Sequence, residues 1–189
     1  MAQQYADLLA CDATVRGLIG PREVERLWDR HLINCALVTD LVAHGASVCD
    51  LGSGAGLPGL VMAIRRPDLA LTLVEPLLRR TTFLDQTVAD LGLTNVTVVR
   101  ARADALHGAR RFDVVTARAV APLDRLSRWA LPLVRAGGEF LAMKGSAVQA
   151  ELETAGAAIR SLGGAAAEIV ELGSGVVDPV VRVVRVVKE

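Results

Sequence analysis

The spacing of apolar side chains changes partway along the chain. In the first part, apolar residues recur at helical spacing, for example at Val24, Leu27 and Leu32. Farther along, short apolar runs alternate with longer segments at helical spacing, and glycine, proline or acidic residues separate them. The pattern therefore predicts an N-terminal helical extension over residues 1–45 and an α/β unit over residues 46–189, folded together as one compact unit.

The apolar runs of the second part predict a mostly parallel β-sheet. Helices are predicted between most successive strands, an alternation typical of parallel strands with helices on both faces. No helix is predicted between the last two strands, which we expect to pair as an antiparallel hairpin. Seven strands with that ending are typical of the Rossmann-like architecture of class I methyltransferases. The predicted strands cover residues 47–50, 69–74, 96–99, 112–117, 139–143, 167–172 and 180–187, the predicted helices cover 58–64, 77–91, 123–133 and 147–162, and a turn is predicted over 135–138.

A glycine-rich turn, Asp-Leu-Gly-Ser-Gly-Ala-Gly-Leu-Pro-Gly over residues 50–59, follows the first predicted strand. Ligands of open α/β sheets bind beyond the carboxyl ends of the strands, where glycines allow close approach to the backbone. Residues 54–59 match the GxGxxG pattern of dinucleotide-binding enzymes, whereas Gly52 and Asp50 complete the order Asp-x-Gly-x-Gly-x-Gly of methyltransferases. The Asp50 carboxylate would repel a pyrophosphate but can bind the methionine ammonium of S-adenosylmethionine (SAM), directly or through water. We therefore favour SAM, bound at Asp50, Gly52 and Gly54.

Acidic residues follow the second and third predicted strands at positions that suit a nucleoside. Glu75 ends the second strand, roughly 20 residues beyond the glycines, where a carboxylate can bind ribose hydroxyls. NAD enzymes share this feature, so Glu75 does not discriminate between the cofactors. Asp104 follows the third strand, where it can accept from the adenine amino group with Ala103 packed nearby. Each acid alone also suits an exposed strand end or a helix cap, but with the glycine turn they predict a nucleoside site.

The fourth predicted strand ends at Arg118, where the acceptor of a methyl group would lie. The segment lacks the Asn/Asp-Pro-Pro-Tyr/Phe motif common in amine methyltransferases, and no cysteine stands where a pyrimidine C5 enzyme needs its nucleophile. An arginine has five donors and no basic lone pair, which suggests an acceptor that needs no deprotonation. Guanine N7 is such an acceptor, because its in-plane lone pair requires only proximity and alignment. Arg118 can hold a phosphate, the guanine edge or the SAM carboxylate, or it can form a structural salt bridge.

Together these segments resemble a bacterial family, the 16S ribosomal RNA guanine-N7 methyltransferases, also called glucose-inhibited division protein B. The resemblance covers most of residues 25–150, and it includes Arg-His-Leu at 30–32, Arg-Pro-Asp at 66–68 and Ala-Met-Lys-Gly at 142–145. It implies a guanine in a small-subunit rRNA loop near the decoding centre as the substrate. It also implies SAM contacts at Gly52, Leu57, Ala103, Asp104 and Arg118.

Three further side chains are candidates for contact with RNA. His31 either touches the pocket or substrate, or packs as a hydrogen-bonded residue of its helix. Lys144 ends the fifth strand on the pocket side and either meets an RNA phosphate or is a solvated strand-end lysine. Arg80, in the pair Arg79-Arg80, is expected on a face turned toward RNA, because guanidinium groups suit phosphates and guanine edges.

Composition narrows the class of protein further. With 189 residues, 52% of them hydrophobic and 22% charged, the chain is expected to form a single globular domain. Its net charge of zero argues against binding nucleic acid by bulk charge alone. Cys11, Cys35 and Cys49 are odd in number and fit no metal site, so we expect buried reduced thiols and no metal ion. Without a visible signal segment or bilayer-length apolar run, the sequence predicts a cytoplasmic monomer with no membrane contact.

The sequence therefore predicts a SAM-dependent enzyme that methylates N7 of a guanine in 16S rRNA of the small ribosomal subunit. No side chain is assigned as an acid, base or nucleophile, because the predicted acceptor needs none. Two alternatives stay open at this point. One is an NAD-dependent oxidoreductase that uses the GxGxxG turn, and the other is a protein that binds SAM without catalysis.

Overall fold

The computed structural model describes residues 1–189, which contain one seven-stranded sheet in the order β3-β2-β1-β4-β5-β7-β6. The first five strands are parallel, and β7 is antiparallel to both β5 and β6, which confirms the predicted C-terminal hairpin. The central strands are buried on both faces, as expected for near-continuous runs of valine and leucine. The strands are β1 Ser47–Leu51, β2 Ala70–Val74, β3 Val96–Val99, β4 Phe112–Arg118, β5 Val134–Lys144, β6 Glu168–Leu172 and β7 Val181–Val187.

Six α-helices and several short helical turns surround the sheet. In α4, the buried side chains of Thr81, Leu84 and Thr87 recur every third residue, so one stripe of the helix packs inward. The α-helices are α1 Ala2–Leu8, α2 Ile33–Val38, α3 Gly59–Arg65, α4 Leu78–Asp90, α5 Leu123–Ala130 and α6 Val148–Ser161. Shorter helical turns cover Leu9–Ala13, Pro21–Arg26, Leu27–Leu32, Thr39–Leu41, Ala103–Leu106 and Leu131–Leu133.

The turn predicted over residues 135–138 is instead part of β5. The pairing of β4 with β5 changes register between Phe112 and Val114, and Gly137 takes a φ of +74°, so the segment is an irregular stretch within the strand. The end of the chain holds it there, since the Gly137 N–H donates to the Lys188 carbonyl at 2.8 Å and the Lys188 N–H donates to Gly138 at 2.8 Å. The glycines were therefore correctly identified as a break in regular structure, but the strand continues through them.

The N-terminal helical region shares its core with the sheet. Tyr5, Leu9 and Leu32 belong to the same buried cluster as Leu71 and Leu73 of β2. A second buried cluster on the opposite face packs α5 and α6 against the sheet. Residues 1–45 therefore cover one face of the sheet and are not an independent layer.

One buried hydrogen bond ties the first helix to the glycine-rich turn. The Tyr5 side chain is fully buried, and its hydroxyl donates to the Ala55 carbonyl at 2.8 Å. Burial raises the pKa of this phenol well above its usual range, so it remains a donor. The helix α1 therefore supports the turn from behind.

The cysteines match the prediction only in part. Cys35 and Cys49 are buried, free thiols, whereas Cys11 lies at an exposed position of the N-terminal helical region. No group of three or more histidine, cysteine or acidic side chains is arranged to hold a metal ion. None of the helices combines the length and the apolar character needed to cross a bilayer.

We expect Tyr5→Phe to lower the free energy of unfolding by about 1–3 kcal/mol, because it leaves the buried Ala55 carbonyl without a donor while the ring packing is kept. A chain of this size should then melt a few degrees lower in a thermal denaturation experiment. Gln3→Ala, at an exposed position of the same helix, is the matched control and should melt like the unmodified chain. Equal melting temperatures for the two variants would contradict this role of the hydroxyl.

Candidate functional site

The carboxyl ends of four parallel strands meet at one edge of the sheet. Leu51 of β1 pairs with Val74 of β2, which pairs with Val99 of β3, and Asp50 pairs with Thr116 of β4. The strand order reverses between β1 and β4, which is where ligands bind in open α/β sheets. We call this the cofactor edge, because the predicted cofactor residues follow these strand ends.

The glycine turn is held against β2 and its following residue. The Gly52 N–H donates to the Val74 carbonyl at 2.8 Å, and the Gly54 N–H donates to the Glu75 carboxylate at 3.1 Å. Gly52 has a φ of +68°, and a Cβ there would lie 2.8 Å from a methyl carbon of Val120. The turn therefore needs glycine at position 52 both for its backbone conformation and for its close contact with the loop after β4.

The Asp50 carboxylate lies fully buried behind this turn. Its Oδ2 accepts from the Gly59 N–H at 3.0 Å, and its Oδ1 has no hydrogen-bond partner. A Cβ at Gly59 would lie 2.7 Å from Oδ2, so only glycine lets α3 begin this close to the strand end. Burial raises the pKa of Asp50 to about 7, and the Gly59 and Ser53 hydrogen bonds oppose that rise. An acceptor oxygen without a partner at this point fits a cationic ligand group, as the sequence predicted for the SAM ammonium.

Glu75 ends β2 and is also buried. Its carboxylate accepts from the N–H groups of Gly54 and Leu77, each at 3.1 Å, and pairs with the Arg80 guanidinium at 3.2 Å. Arg80 therefore lies on the cofactor side, at Glu75, and its predicted contact with RNA stays a prediction. The contact of Glu75 with ribose hydroxyls likewise stays a prediction.

The other predicted cofactor residues lie around the same edge. Leu57 is half-buried and packs on the first hydrophobic cluster, whereas Ala103 is half-buried against the second. Asp104 is exposed in the first helical turn after β3, with the Arg102 guanidinium 3.5 Å away at the surface. An exposed carboxylate beside a small apolar residue remains compatible with the predicted adenine contact.

Arg118 ends β4 and is half-buried at the cofactor edge. One Nη donates to the Cys35 Sγ at 3.2 Å, and the other donates to the His31 Nδ1. No carboxylate lies within ion-pair distance of its guanidinium. The alternative of a structural salt bridge is therefore wrong, and the positive charge of Arg118 is available to an anion.

His31 is not among the residues that line the cleft beside Arg118, and the structure gives it the packed alternative. It is 8% exposed, and its Nε2 lies 2.7 Å from the Glu23 carboxylate. Because an arginine can only donate, the His31 Nδ1 must accept from Arg118, and the proton must be on Nε2. Burial lowers the pKa of His31 and the Arg118 charge lowers it further, while the Glu23 hydrogen bond opposes both.

Lys144 is neither solvated nor free to meet a phosphate. Its side chain is 7% exposed, and its Nζ donates to the Ala121 carbonyl and to the Glu151 carboxylate, each at 2.7 Å. Glu151 also accepts from the Leu123 N–H at 2.9 Å. Both sequence alternatives for Lys144 are therefore wrong. Its ion pair with Glu151 instead anchors the loop that follows Arg118.

A cleft of about 890 Å³ opens beside Arg118. The Leu27–Leu32 turn and the start of α2 form one wall, and the loops after β4 and β5 and the start of β7 form the others. The Asn34 side chain lines it, and the Asn34 Oδ1 is buried without a hydrogen-bond partner. Its lining includes Arg26, Asn34, Arg118, Ala121, Lys144 and Arg182.

The sequence did not identify Glu23, Asn34 or Glu151 as part of the site. Asn34 stands one helical turn beyond Arg30 and His31, so the helical spacing of the N-terminal region was a usable signal for it. Glu23 and Glu151 had no such signal, because their partners are known only once the chain is folded. Glu23 contacts the predicted residue His31, Glu151 contacts the predicted residue Lys144, and Asn34 lines the cleft.

Comparison with known proteins gives a family match over most of the chain. Residues 1–178 match the family model described as GidB, rRNA small subunit methyltransferase G. A relative of that name from Nocardioides sp. is 62% identical over 174 residues, which are 92% of this chain and 70% of the relative. Another from Thermobifida fusca is 58% identical over 186 residues, which are 98% of this chain and 78% of the relative.

A solved structure shows the same fold. The precorrin-6y C5,15-methyltransferase from Geobacter metallireducens superposes with a TM-score of 0.59 at 16% identity, over 91% of each chain. This likeness confirms the class I methyltransferase fold. The family match confirms SAM as the cofactor and supports methyl transfer, and no comparison supports the oxidoreductase or the inactive SAM-binding alternative. The chain belongs to the GidB family of rRNA small subunit methyltransferases.

Proposed function

We propose that this enzyme transfers the methyl group of SAM to N7 of a guanine in 16S rRNA of the small ribosomal subunit. The observation that carries the choice of N7 is the side chain at the end of β4. Arg118 is a permanent donor, and the histidine beside it accepts from that arginine with its Nδ1. An acceptor atom that must lose a proton would need a base here, whereas guanine N7 attacks with a free lone pair.

The cofactor edge suits SAM residue by residue. The buried, partnerless oxygen of Asp50 suits the methionine ammonium, and the unpaired guanidinium of Arg118 suits an anionic group such as the methionine carboxylate. Glu75 is positioned for the ribose, and Ala103 and Asp104 for the adenine. Gly52, Gly54 and Leu57 form the turn beneath these groups. Bound SAM supplies a methyl group activated by the sulfonium charge.

The cleft beside Arg118 is the proposed seat of the guanine. Its volume lies in the range of small-molecule sites, and single-stranded RNA loops can present a base splayed out of the stack. Asn34 offers a buried acceptor without a partner, and guanine carries N–H donors on the edge opposite N7. A base held through that edge would turn N7 toward the cofactor edge.

The protein contributes binding, alignment and exclusion of water to this reaction. The Lys144–Glu151 ion pair fixes the loop between β4 and α5 by holding the Ala121 carbonyl and the Leu123 N–H. That loop begins directly after Arg118, and its Val120 side chain lies against Gly52. The cofactor turn and the wall of the cleft are therefore fixed to each other, as alignment of two reactants requires.

The proposed substrate also indicates where in the cell the enzyme acts. Because ribosomal RNA is made and assembled in the cytoplasm of a bacterial cell, we place the enzyme there. That it acts as a monomer and without a metal ion stay predictions from the sequence. Size measurement in solution, and activity in the presence of a chelator, test these two points.

Replacing guanine by 7-deazaguanine in the RNA substrate should abolish methyl transfer. The analogue keeps the edge with N–H donors but has a carbon in place of N7, so it should still bind and compete with normal RNA. Transfer of labelled methyl from SAM to small-subunit RNA measures methylation, and competition with normal RNA measures binding of the deaza substrate. Mass mapping of rRNA from cells with and without the enzyme should show the loss of one N7-methylguanine. Methylation of the deaza substrate would refute N7 as the acceptor.

Asp50→Asn should weaken SAM binding without destabilising the fold. Asparagine keeps an acceptor for the Gly59 N–H and removes the charge that faces the ammonium, so we expect affinity to fall about tenfold, or roughly 1.4 kcal/mol. Because the pKa of Asp50 is raised to about 7 in the folded chain, the folded state binds the proton more tightly than the unfolded state. Wild-type stability therefore falls as the pH rises from about 4 to about 7, a loss that the variant lacks.

Calorimetric titration with SAM and thermal melting at several pH values measure both effects of Asp50→Asn. The melting temperature of the variant should gain on that of the wild type between about pH 4 and about pH 7. Unchanged SAM affinity would remove Asp50 from the cofactor site. A difference in melting temperature that stays constant with pH, or that moves in favour of the wild type as the pH rises, would contradict the sign of the stability effect.

Asn34→Ala should lower kcat/KM for RNA by about tenfold while the affinity for SAM stays the same, since one polar contact to a base is worth about 1–3 kcal/mol. Glu25→Gln, at an exposed position of the same segment outside the cleft, is the matched control. Steady-state methylation with RNA varied, together with SAM titration, separates the two constants. An equal loss in SAM affinity would place Asn34 at the cofactor instead of the base.

A further inference from the structure

Three side chains connect the N-terminal helical region to the end of β4. Glu23 bonds to His31, and His31 accepts from Arg118, a residue 87 positions farther along the chain. We infer that His31 is a positioning residue, held in one tautomer by Glu23, that orients the Arg118 guanidinium toward an oxyanion at the cofactor edge. The inference rests on the proposed part of Arg118 in anion binding.

The tautomer follows from the two partners. The Arg118 guanidinium only donates, so the His31 Nδ1 facing it must present its lone pair. The Nε2 then carries the proton and donates to the Glu23 carboxylate 2.7 Å away. Glu23 thereby selects the form of the ring that can hold Arg118.

The partners of Arg118 orient it without neutralising it. Both of its acceptors are uncharged, because the His31 ring is neutral and burial raises the pKa of the Cys35 thiol to about 11. A carboxylate in either place would form an ion pair and cancel the charge that a ligand needs. Arg118 uses two of its five N–H donors on these groups and has three left for an oxyanion.

Two oxyanions reach this edge of the sheet in the proposed reaction. One is the carboxylate of SAM and the other is an RNA phosphate, and both suit the planar fork of a guanidinium. The hydrogen-bonded series Glu23–His31–Arg118, here called the relay, suits either oxyanion, because it fixes the arginine and not the ligand. Binding of SAM and binding of RNA, measured separately, distinguish the two.

Protonation of His31 would break the relay. A second ring proton would put an N–H and a positive charge on Nδ1, directly facing the guanidinium. Anion affinity should therefore fall as the pH falls through the pKa of His31. The Glu23 hydrogen bond and charge raise the pKa of His31, so Glu23 helps to set the pH at which anion affinity falls. The charged and titratable groups near this pair are Tyr5 of α1, Glu23, Arg26 and Arg30 of the following helical turns, Cys35 of α2, Asp50 of β1 and Arg118 of β4.

Two substitutions at His31 separate positioning from packing. In His31→Asn, the side-chain oxygen can stand where Nδ1 does and accept from Arg118, but it cannot titrate. In His31→Leu, the volume is similar but there is no acceptor. We expect SAM affinity to fall about tenfold in His31→Leu and to stay within about threefold in His31→Asn. His31→Asn should lose only the part of the decline at acid pH that comes from His31, because protonation of Asp50 still weakens SAM binding. His44→Leu, at a histidine whose side chain is 89% exposed, is the control.

A second measurement keeps the test valid if His31→Leu fails to fold. Glu23→Gln preserves an acceptor for the Nε2 proton and removes the negative charge, so the acid decline of SAM affinity should move to lower pH. A purely structural residue would not move that profile. The double variant His31→Leu with Arg118→Ala should bind SAM no more weakly than Arg118→Ala alone, since His31 acts through Arg118.

Equal losses in His31→Asn and His31→Leu, or an unmoved pH profile in Glu23→Gln, would overturn the relay. Wild-type SAM affinity in Arg118→Ala with weakened RNA binding would assign the oxyanion to RNA, and the same variants would then be compared by RNA binding. If Arg118→Ala changes neither, the relay is refuted. None of these results depends on methylation at N7, which the deaza substrate tests separately.

Discussion

A buried carboxylate at the end of the first strand is the constraint on which the cofactor edge depends. Asp50 is fully enclosed, and only one of its two oxygens accepts a hydrogen bond from the protein. That bond comes from Gly59, so the helix must begin within reach of the strand end and cannot have a side chain there. Solvation by protein alone is incomplete, and the raised pKa of Asp50 is its result. The turn is therefore built around a buried carboxylate that the protein leaves partly unsolvated.

Arg118 has a positive charge at the same edge, and the protein likewise gives this charge no ion-pair partner. Its partners are uncharged, so its field reaches outward to a ligand instead of ending in an internal ion pair. The ion pairs that the fold does form, Glu75 with Arg80 and Lys144 with Glu151, hold the turn and the neighbouring loop. The charged groups of the site thus divide into those that fix backbone and those that are left for ligands.

The sequence predicted most of the fold because local patterns determine it. The seven strands, the C-terminal hairpin and the glycine turn depend on neighbours in the chain, and all three are found in the structure. The continuation of β5 through Gly137 was not predictable, because the backbone hydrogen bonds that hold it come from Lys188, which is far away in the sequence. Arg118 as a partner of His31 and Ala121 as a partner of Lys144 were not predictable either, because only folding brings these distant segments together. Residue type indicated which side chains are polar, but only the folded chain shows which of them are already satisfied.

The cleft joins parts of the chain that the cofactor edge does not use. Its walls come from the segment around Asn34, near one terminus, and from the start of β7 around Arg182, near the other, whereas the cofactor edge follows strands β1 to β4. The cleft and the cofactor edge meet at Arg118 and the loop that follows it. Changes around Asn34 and Arg182, on the outer walls of the cleft, therefore act on the proposed RNA site with no direct contact to the glycine turn.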